Sequence, residues 1–477
     1  MKRLPVLVFM IAAAASASAQ ESKTLSFDEA LNMTMSNNPS MQATKFEEMA
    51  AKRERQAAIG LRMPSISVNG AYSYLGKDIA LDLNDLKTPV KNGAGALLPS
   101  LDPEVAQAVS GLLTPILGQS WEYTLQKQSV GFIGGNVSLP IFLGGKINVA
   151  NKAAKINEQA IHAQTAQTRN ALVSELVERY FGYTLAAHVV TVRQQVVDGV
   201  KKHLNDAVAL ERNGMIASSE RLYVEFKMVE AERDLQNAAM QLETIRAALG
   251  NTLGAITESS PATAMFILDQ IESLEYYKQL AADYNPLLNQ VELKKQLAKQ
   301  NVRLQRADFF PQIVAAGGGT FYNYQVTKLL PRWAVGVGVN FKIFDGLNRE
   351  YKYAAARQTA MRVEKLEDKA NEDISVLIES LYTQMMNYRN QMTSIEASMA
   401  FAKEYLKMKN SAFLAGMGTS TDLVDAELNL AKVRIERMQA AYNYDVALAK
   451  LLEAAGVSDE FVNYIRRSNA RQISFEE

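Results

Sequence analysis

Residues 333–343 read Trp333-Ala334-Val335-Gly336-Val337-Gly338-Val339-Asn340-Phe341-Lys342-Ile343. Every odd position is large and apolar, and every even position is small or polar. That period of two is the mark of a β-strand with one apolar face. Related segments occur elsewhere. Ile133, Val137, Leu139 and Ile141 alternate with Asn136 and Ser138, and Ile66, Val68, Tyr72 and Tyr74 alternate with Ser65, Ser67, Asn69 and Ser73. A fourth segment, residues 313–321, is glycine-rich. Segments of about ten residues, apolar outside and small or polar inside, with aromatics near their ends, fit a transmembrane β-barrel. A soluble four-stranded sandwich is the competing reading. Four strands are too few to close a barrel with a lumen. Three subunits contributing four strands each would close one, so an oligomer is expected.

Long helices surround these strands. Residues 347–415 contain neither glycine nor proline, an interval of 69 residues that would run to about 100 Å as a helix. Ile374, Leu381, Tyr388, Ile395 and Ala402 form a row seven apart, and Ile378, Met385, Met392, Met399 and Leu406 form a second. Such spacing is a coiled-coil seam. A matching helix is expected over residues 146–212. A soluble helical rod would also satisfy that pattern, but not the alternating aromatic strands.

The chain also repeats itself. Asn38-Pro39 recurs as Asn285-Pro286 and Pro64 as Pro311, both at an offset of 247. Ile141-Phe142 recurs as Ile343-Phe344 and Gly214-Met215 as Gly416-Met417, both at 202. The offsets differ by 45, so the first copy carries an insertion of that size between Pro64 and Ile141. The expected organisation is a signal peptide over 1–19, repeat one over 20–250, and an equatorial linker over 251–284. Repeat two follows over 285–456, with a C-terminal periplasmic tail over 457–477. Helices are expected over 26–61 and 286–307. Residues 75–128 are read as a long extracellular surface loop.

Composition narrows the function. Lys2 and Arg3, an apolar stretch over residues 4–15 and Ala17-Ser18-Ala19 form an export signal, with the mature chain beginning at Gln20. There is no cysteine, which excludes disulfides, thiolate metal sites, a cysteine nucleophile and a lipidated N-terminal cysteine. Lys+Arg and Asp+Glu balance at 51 each, so no net field favours nucleic acid. Beyond the signal no run of about 18 apolar residues occurs, so a membrane crossing must use a closed barrel. No phosphate loop, His-Glu-x-x-His or Gly-x-Ser-x-Gly motif is present, so neither an enzyme nor a cofactor is expected. His162, His188 and His203 carry no zinc-site spacing. Met33, Met35, Met41, Met49 and Met63 leave copper or silver export as an alternative. A periplasmic coiled-coil scaffold bridging envelope layers is the other alternative.

The turn after the second long helix reads Ala415-Gly416-Met417-Gly418-Thr419-Ser420-Thr421-Asp422-Leu423-Val424-Asp425-Ala426. Asp422 and Asp425 stand six and nine positions after Gly416. In the first turn Gly214 is followed by Glu220 at six and Tyr223 at nine. With these turns, and the helix–strand–strand–helix–helix order used twice, the chain resembles the TolC family of outer-membrane efflux proteins over essentially its whole mature length. The resemblance implies a homotrimer: a twelve-stranded barrel in outer-membrane lipid, continued by a coiled-coil helical tunnel through the periplasm. It implies passive exit for a tripartite efflux or type I secretion system, with a membrane-fusion adaptor and an inner-membrane pump of RND or ABC type as partners. It also implies that Asp422 and Asp425, joined by Glu220, ring the periplasmic entrance. Such a ring attracts cations, repels anions and raises some carboxyl pKa values. Thr421 is expected to share a helix-capping role at the same turn. Gly418 stands where the family often has an arginine, and Phe413 where it often has a tyrosine.

Overall fold

The computed structural model describes residues 24–255, 259–327 and 331–473. The expected signal peptide lies outside the described residues. In chain order the elements are β1 (Thr24–Leu25), α1 (Phe27–Asn37), α2 (Pro39–Gly60), β2 (Ser65–Tyr74), β3 (Ile79–Asp82), α3 (Lys87–Leu97), α4 (Pro103–Gly118) and β4 (Glu122–Gln126). There follow β5 (Ser129–Leu143), α5 (Lys146–Arg212), α6 (Ser218–Leu253), β6 (Ser260–Pro261), β7 (Met265–Leu268), α7 (Leu274–Tyr284) and α8 (Pro286–Ala307). The chain ends in β8 (Gln312–Tyr324), β9 (Trp333–Asn340), α9 (Asn348–Leu414), α10 (Ser420–Ala455), α11 (Phe461–Ile465) and β10 (Ala470–Ile473). The helices α5 and α9 have 67 residues each, and α6 and α10 have 36 each. Among the described residues no helix is long and apolar enough to cross a membrane.

These elements form two compact units. Among the described residues, one comprises those up to Ala51, within Asn157–Lys295 and from Arg362 onward; the other comprises those within Lys52–Ile156 and Gln296–Met361.

In the first unit both heptad rows of α9 turn inward. Ile374, Ile378, Met385, Met392, Ile395, Met399 and Ala402 are buried, and Leu381, Tyr388 and Leu406 pack against them. An aromatic cluster of Phe27, Tyr180, Phe181, Phe266 and Phe461 sits in the same core. The Tyr180 hydroxyl donates to the carbonyl of Leu25 and accepts from the amides of Ala262 and Thr263. All four residues of β7 are buried, and β10 pairs with it antiparallel. The stretch after 457 is thus built into the core through Phe461, Tyr464 and β10.

The recurring Asn-Pro pairs have a physical job here. Proline disfavours helix at the residue before it and suits the first helical position after it. Asn38 is extended, so the helix expected over 26–61 is broken into α1 and α2. Its amide donates to the carbonyl of Thr252 at 2.9 Å while its Oδ1 accepts from the amide of Ser40 at 2.9 Å. Asn285 repeats this: it donates to the carbonyl of Ala454 at 2.7 Å and accepts from the amides of Leu287 and Leu288. Beside each asparagine a left-handed glycine closes the facing helix, Gly254 (φ +68°) and Gly456 (φ +82°). An added Cβ would lie 2.7 Å from the Asn37 carbonyl at the first and 2.3 Å from the Tyr284 carbonyl oxygen at the second.

The second unit holds a four-stranded antiparallel sheet of order β2-β5-β8-β9. Its register sets Ile66 opposite Val137, Val137 opposite Gly317, and Gly317 opposite Val335. The glycine-rich segment is the long inner strand β8, with neighbours on both sides, so β2 and β9 are open edges. Strand β9 stops at Asn340, three residues short of the alternating pattern. The Arg349 guanidinium takes the carbonyls of Lys342 and Ile343 at 2.6 and 2.9 Å, so those carbonyls serve the helix start.

Residues 75–128, expected as a long surface loop, carry regular structure. They fold as an antiparallel ribbon, β3 with β4, carrying α3 and α4 between its arms. Trp121 ties the ribbon together. Its backbone amide donates to Asn84 Oδ1, its ring N–H donates to the Ile116 carbonyl, and Lys87 lies over its ring.

Candidate functional site: the paired helical turns

The helix pairs α5–α6 and α9–α10 are each joined by a turn on a left-handed glycine, Gly214 (φ +71°) and Gly416 (φ +70°). Both turns close the same way. Gly214 and Met215 donate to the carbonyls of Glu211 and Leu210, and Gly416 and Met417 donate to those of Phe413 and Ala412. This bond pair is the standard glycine-closed helix ending. All of these residues lie within the first unit.

The structure brings the three predicted acidic residues to these turns and gives each a partner. Lys409, on the last turns of α9, reaches Asp422 at 3.3 Å. That bond and the Thr419 hydroxyl hold the Asp422 carboxyl below the usual carboxylate range. Within one chain the shift is therefore opposite to the upward shift expected from like charges. Asp425 accepts a 2.9 Å hydrogen bond from the Tyr223 hydroxyl of α6. Burial, then the contact with Asp425, raises the Tyr223 phenol above its ordinary value. Glu220 Oε2 accepts from the backbone amide of Ser420 at 3.4 Å. One helix pair thus holds the start of the other.

Capping falls to a different threonine. Helix α10 begins at Ser420, so Thr419 is its cap and its hydroxyl accepts from the Asp422 amide at 3.1 Å. Thr421 sits inside the first turn, two residues past the capping position. Gly418 donates to the Ala412 carbonyl at 3.1 Å, and a Cβ there would lie 3.1 Å from the Phe413 amide nitrogen. The turn therefore folds tightly over the end of α9, with little space for a side chain. Phe413 packs edge-on against His203 with ring centres 6.3 Å apart, and His203 Nε2 lies 3.3 Å from Glu427 Oε2.

Sequence reasoning missed Lys409 and gave Tyr223 no role. Lys409 is thirteen positions before Asp422 and meets it only because the chain reverses at Gly416. Tyr223 holds the position that Asp425 holds in the second turn, and its hydroxyl serves that aspartate. The first turn compensates its charges internally. Arg221 bridges Glu211 and Glu225, both at 2.7 Å, and Ser218 and Arg221 hold the Glu211 carboxyl below the usual range. Among the described residues no group of three metal-ligating side chains occurs.

A family model for outer membrane efflux proteins matches residues 30–255 and 278–457. The chain belongs to the outer membrane efflux protein family. It is thus an outer-membrane channel protein, and not an enzyme. It is 25% identical over 324 residues to the alkaline protease secretion protein AprF of Pseudomonas aeruginosa, a match over 64% of this chain. The chain spans 65% of the length of that curated relative. It is 24% identical to the cobalt-zinc-cadmium resistance protein CzcC of Cupriavidus metallidurans, over 63% of this chain and 71% of that protein. In fold it is similar to the CmeC outer membrane channel of Campylobacter jejuni, with a TM-score of 0.71 at 14% identity over 98% of each chain. The MtrE outer membrane channel of Neisseria gonorrhoeae is similar at a TM-score of 0.69 and 15% identity, over 91% of this chain and 89% of that one.

Proposed function

We propose that this efflux-family protein is a duplicated subunit of a homotrimeric duct, and that three copies close twelve strands into a barrel in the outer membrane. One observation carries this reading. The sheet has two open edges, β2 and β9, and its large apolar side chains stand in the open, with Val335 76% and Ile66 75% exposed. Neither state is tolerable in water. Pairing β9 of one copy with β2 of the next removes both edges, and lipid covers the apolar face.

In this reading the Gly214 and Gly416 turns frame the periplasmic entrance, where three copies bring six carboxylates together from Asp422 and Asp425. The Lys409 ammonium partly neutralises the ring. It also supplies a cation to the entrance, which has Gly418 where the family often has an arginine. The exposed side chains of Leu414, Met215 and Met417 at these turns suit an apolar contact with a periplasmic adaptor. Cargo then passes outward passively, driven by an inner-membrane pump. The secretion and metal-resistance relatives mark two kinds of system in which such a duct serves.

The test is direct. The protein extracted from outer membranes should run as a heat-modifiable trimer and form ion channels in planar bilayers. Replacing both Asp422→Asn and Asp425→Asn should reduce block by multivalent cations severalfold. A chain that leaves the membrane without detergent would overturn the duct. Unchanged block would remove the entrance role from the aspartates and leave the duct standing.

A further inference from the structure

Two junctions lead from strand to long helix in the second unit, 202 positions apart. Gly144-Gly145 joins β5 to α5, with φ of +65° and +93°. Gly346-Leu347 joins β9 to α9, with φ of +72° and +62°. The second junction thus forces a leucine into the left-handed region, which costs a side-chain-bearing residue stability that glycine does not lose. The leucine is nearly half exposed, so its side chain is only partly covered within this chain. Its neighbours are apolar and open too: Ile343, Phe344 and Tyr351 are among the most exposed large side chains of the molecule.

Against this patch lies a cleft of about 230 Å³ lined by Lys146, Lys342, Arg349, Lys352, Asp308 and Asp345 among others. Four cations face two carboxylates. Lys146 pairs with Asp308 at 2.5 Å. Arg349 is fastened by the carbonyls of Lys342 and Ile343 and by the Phe309 ring, 5.0 Å from its guanidinium. Asp345 has its Oδ1 buried without a partner. Lys342 and Lys352 are exposed, and among the described residues neither has an ion-pair partner. Helix α9 begins between them at Asn348, adding the positive end of its dipole.

We propose that this cleft binds the phosphate of a membrane phospholipid, held by Lys342 and Lys352, with Ile343, Phe344 and Leu347 against the acyl chains. Unpaired ammonium groups beside an open apolar and aromatic surface are complementary to a headgroup phosphate at the edge of the hydrocarbon layer. The strained leucine then has a purpose, since lipid buries what the chain leaves open. The inference rests on the reading that the β2-β5-β8-β9 sheet lies in the outer membrane. It adds that the second junction, and not the glycine-only first one, is the lipid-binding one.

Native mass spectrometry of the detergent-extracted trimer tests it, with phosphatidylglycerol as probe. Diacylglycerol of the same chain length is the phosphate-free control, and inorganic phosphate the competitor. The native trimer should retain phosphatidylglycerol over diacylglycerol. Joint Lys342→Gln and Lys352→Gln should weaken retention about tenfold, as loss of two charge-assisted contacts requires. Joint Lys342→Arg and Lys352→Arg should restore it, and Lys365→Gln should do nothing. Leu347→Gly should weaken retention while leaving the melting temperature equal or higher. Equal retention by the double glutamine variant overturns the site. So does displacement of the lipid by inorganic phosphate at comparable concentration, which would mark a soluble-anion site. A native trimer that conducts but prefers no phospholipid sinks the lipid site alone. A chain released without detergent sinks the duct as well.

Discussion

Two regions of the first unit treat recurring sequence differently. At the Asn-Pro seams, Asn38 with Gly254 and Asn285 with Gly456 repeat the same residues, the same bonds and the same left-handed glycine. At the helical turns the glycines recur, but the side chains around them diverge. Arg221 closes the first turn on its own carboxylates, while Lys409 and Tyr223 serve Asp422 and Asp425 of the second. Buried backbone tolerates few solutions, because an orphaned amide or an overlapping Cβ costs stability directly. Half-exposed charges are free to vary, because water fills any bond they lose. The seams therefore report on folding, and the turns are where the proposed entrance role can vary.

The largest loss should come from Gly456→Ala. Its Cβ would overlap the Tyr284 carbonyl oxygen at 2.3 Å in a left-handed backbone, a cost of about 3 kcal/mol. Thermal unfolding of the purified channel should show it as a fall of several degrees, with Gly254→Ala close behind. A neutral result at Gly456 would remove the case for a rigid seam. Asn285→Ala comes next, at about 2 kcal/mol, because it orphans the buried Ala454 carbonyl and uncaps α8.

Asp445 gives a pH-dependent effect. It is fully buried on α10, its Oδ2 accepts only a 3.3 Å bond from the Phe266 amide, and burial raises its carboxyl well above the usual range. A carboxyl whose folded pKa is raised takes up protons more readily when folded. Its protonated form costs nothing below the unfolded value near pH 4, and stability is lost as pH rises from there toward the folded pKa. Asp445→Asn should therefore melt higher than the native chain at neutral pH, with the gain shrinking toward pH 4. A gain that is constant with pH would mean that the effect is packing and not ionisation.

Much of this was legible in sequence because it is periodic. Heptads at 374–406 report burial that the helix must satisfy, and alternation at 333–341 reports a strand with one apolar face, which stands exposed in the single chain. The offsets of 247 and 202 report bonds that tolerate one residue type. The unread features are those that depend on chain reversal or on a shift of one or two residues. Lys409 meets Asp422 only after the turn is built. Thr419, not Thr421, caps because α10 starts at Ser420. Residues 75–128 look like loop because four prolines and five glycines interrupt them, yet Trp121 supplies contacts that order a ribbon. The strain at Leu347 has no sequence signal other than the glycine 202 positions earlier.

At the second turn Lys409→Met should leave the melting temperature of the purified channel unmoved, since both partners of that ion pair are partly exposed. If the proposed entrance ring is right, it should raise the channel's preference for cations severalfold in planar bilayers, by leaving that ring's carboxylates uncompensated. Tyr223→Phe is the subtler case. It removes one hydroxyl and nothing else, freeing Asp425 from its 2.9 Å donor while keeping the ring. Water replaces that bond at an exposed carboxylate, so the stability change should stay below about 1 kcal/mol. Cation block should strengthen, by less than in Lys409→Met, because a neutral donor compensates a carboxylate less than an ammonium does. The pair of measurements separates structure from transport at one bond. If Tyr223→Phe instead lowers the melting temperature as much as Asn285→Ala does, the bond is part of the scaffold. The turns would then belong with the seams, and the entrance must be sought at other side chains of the same helices.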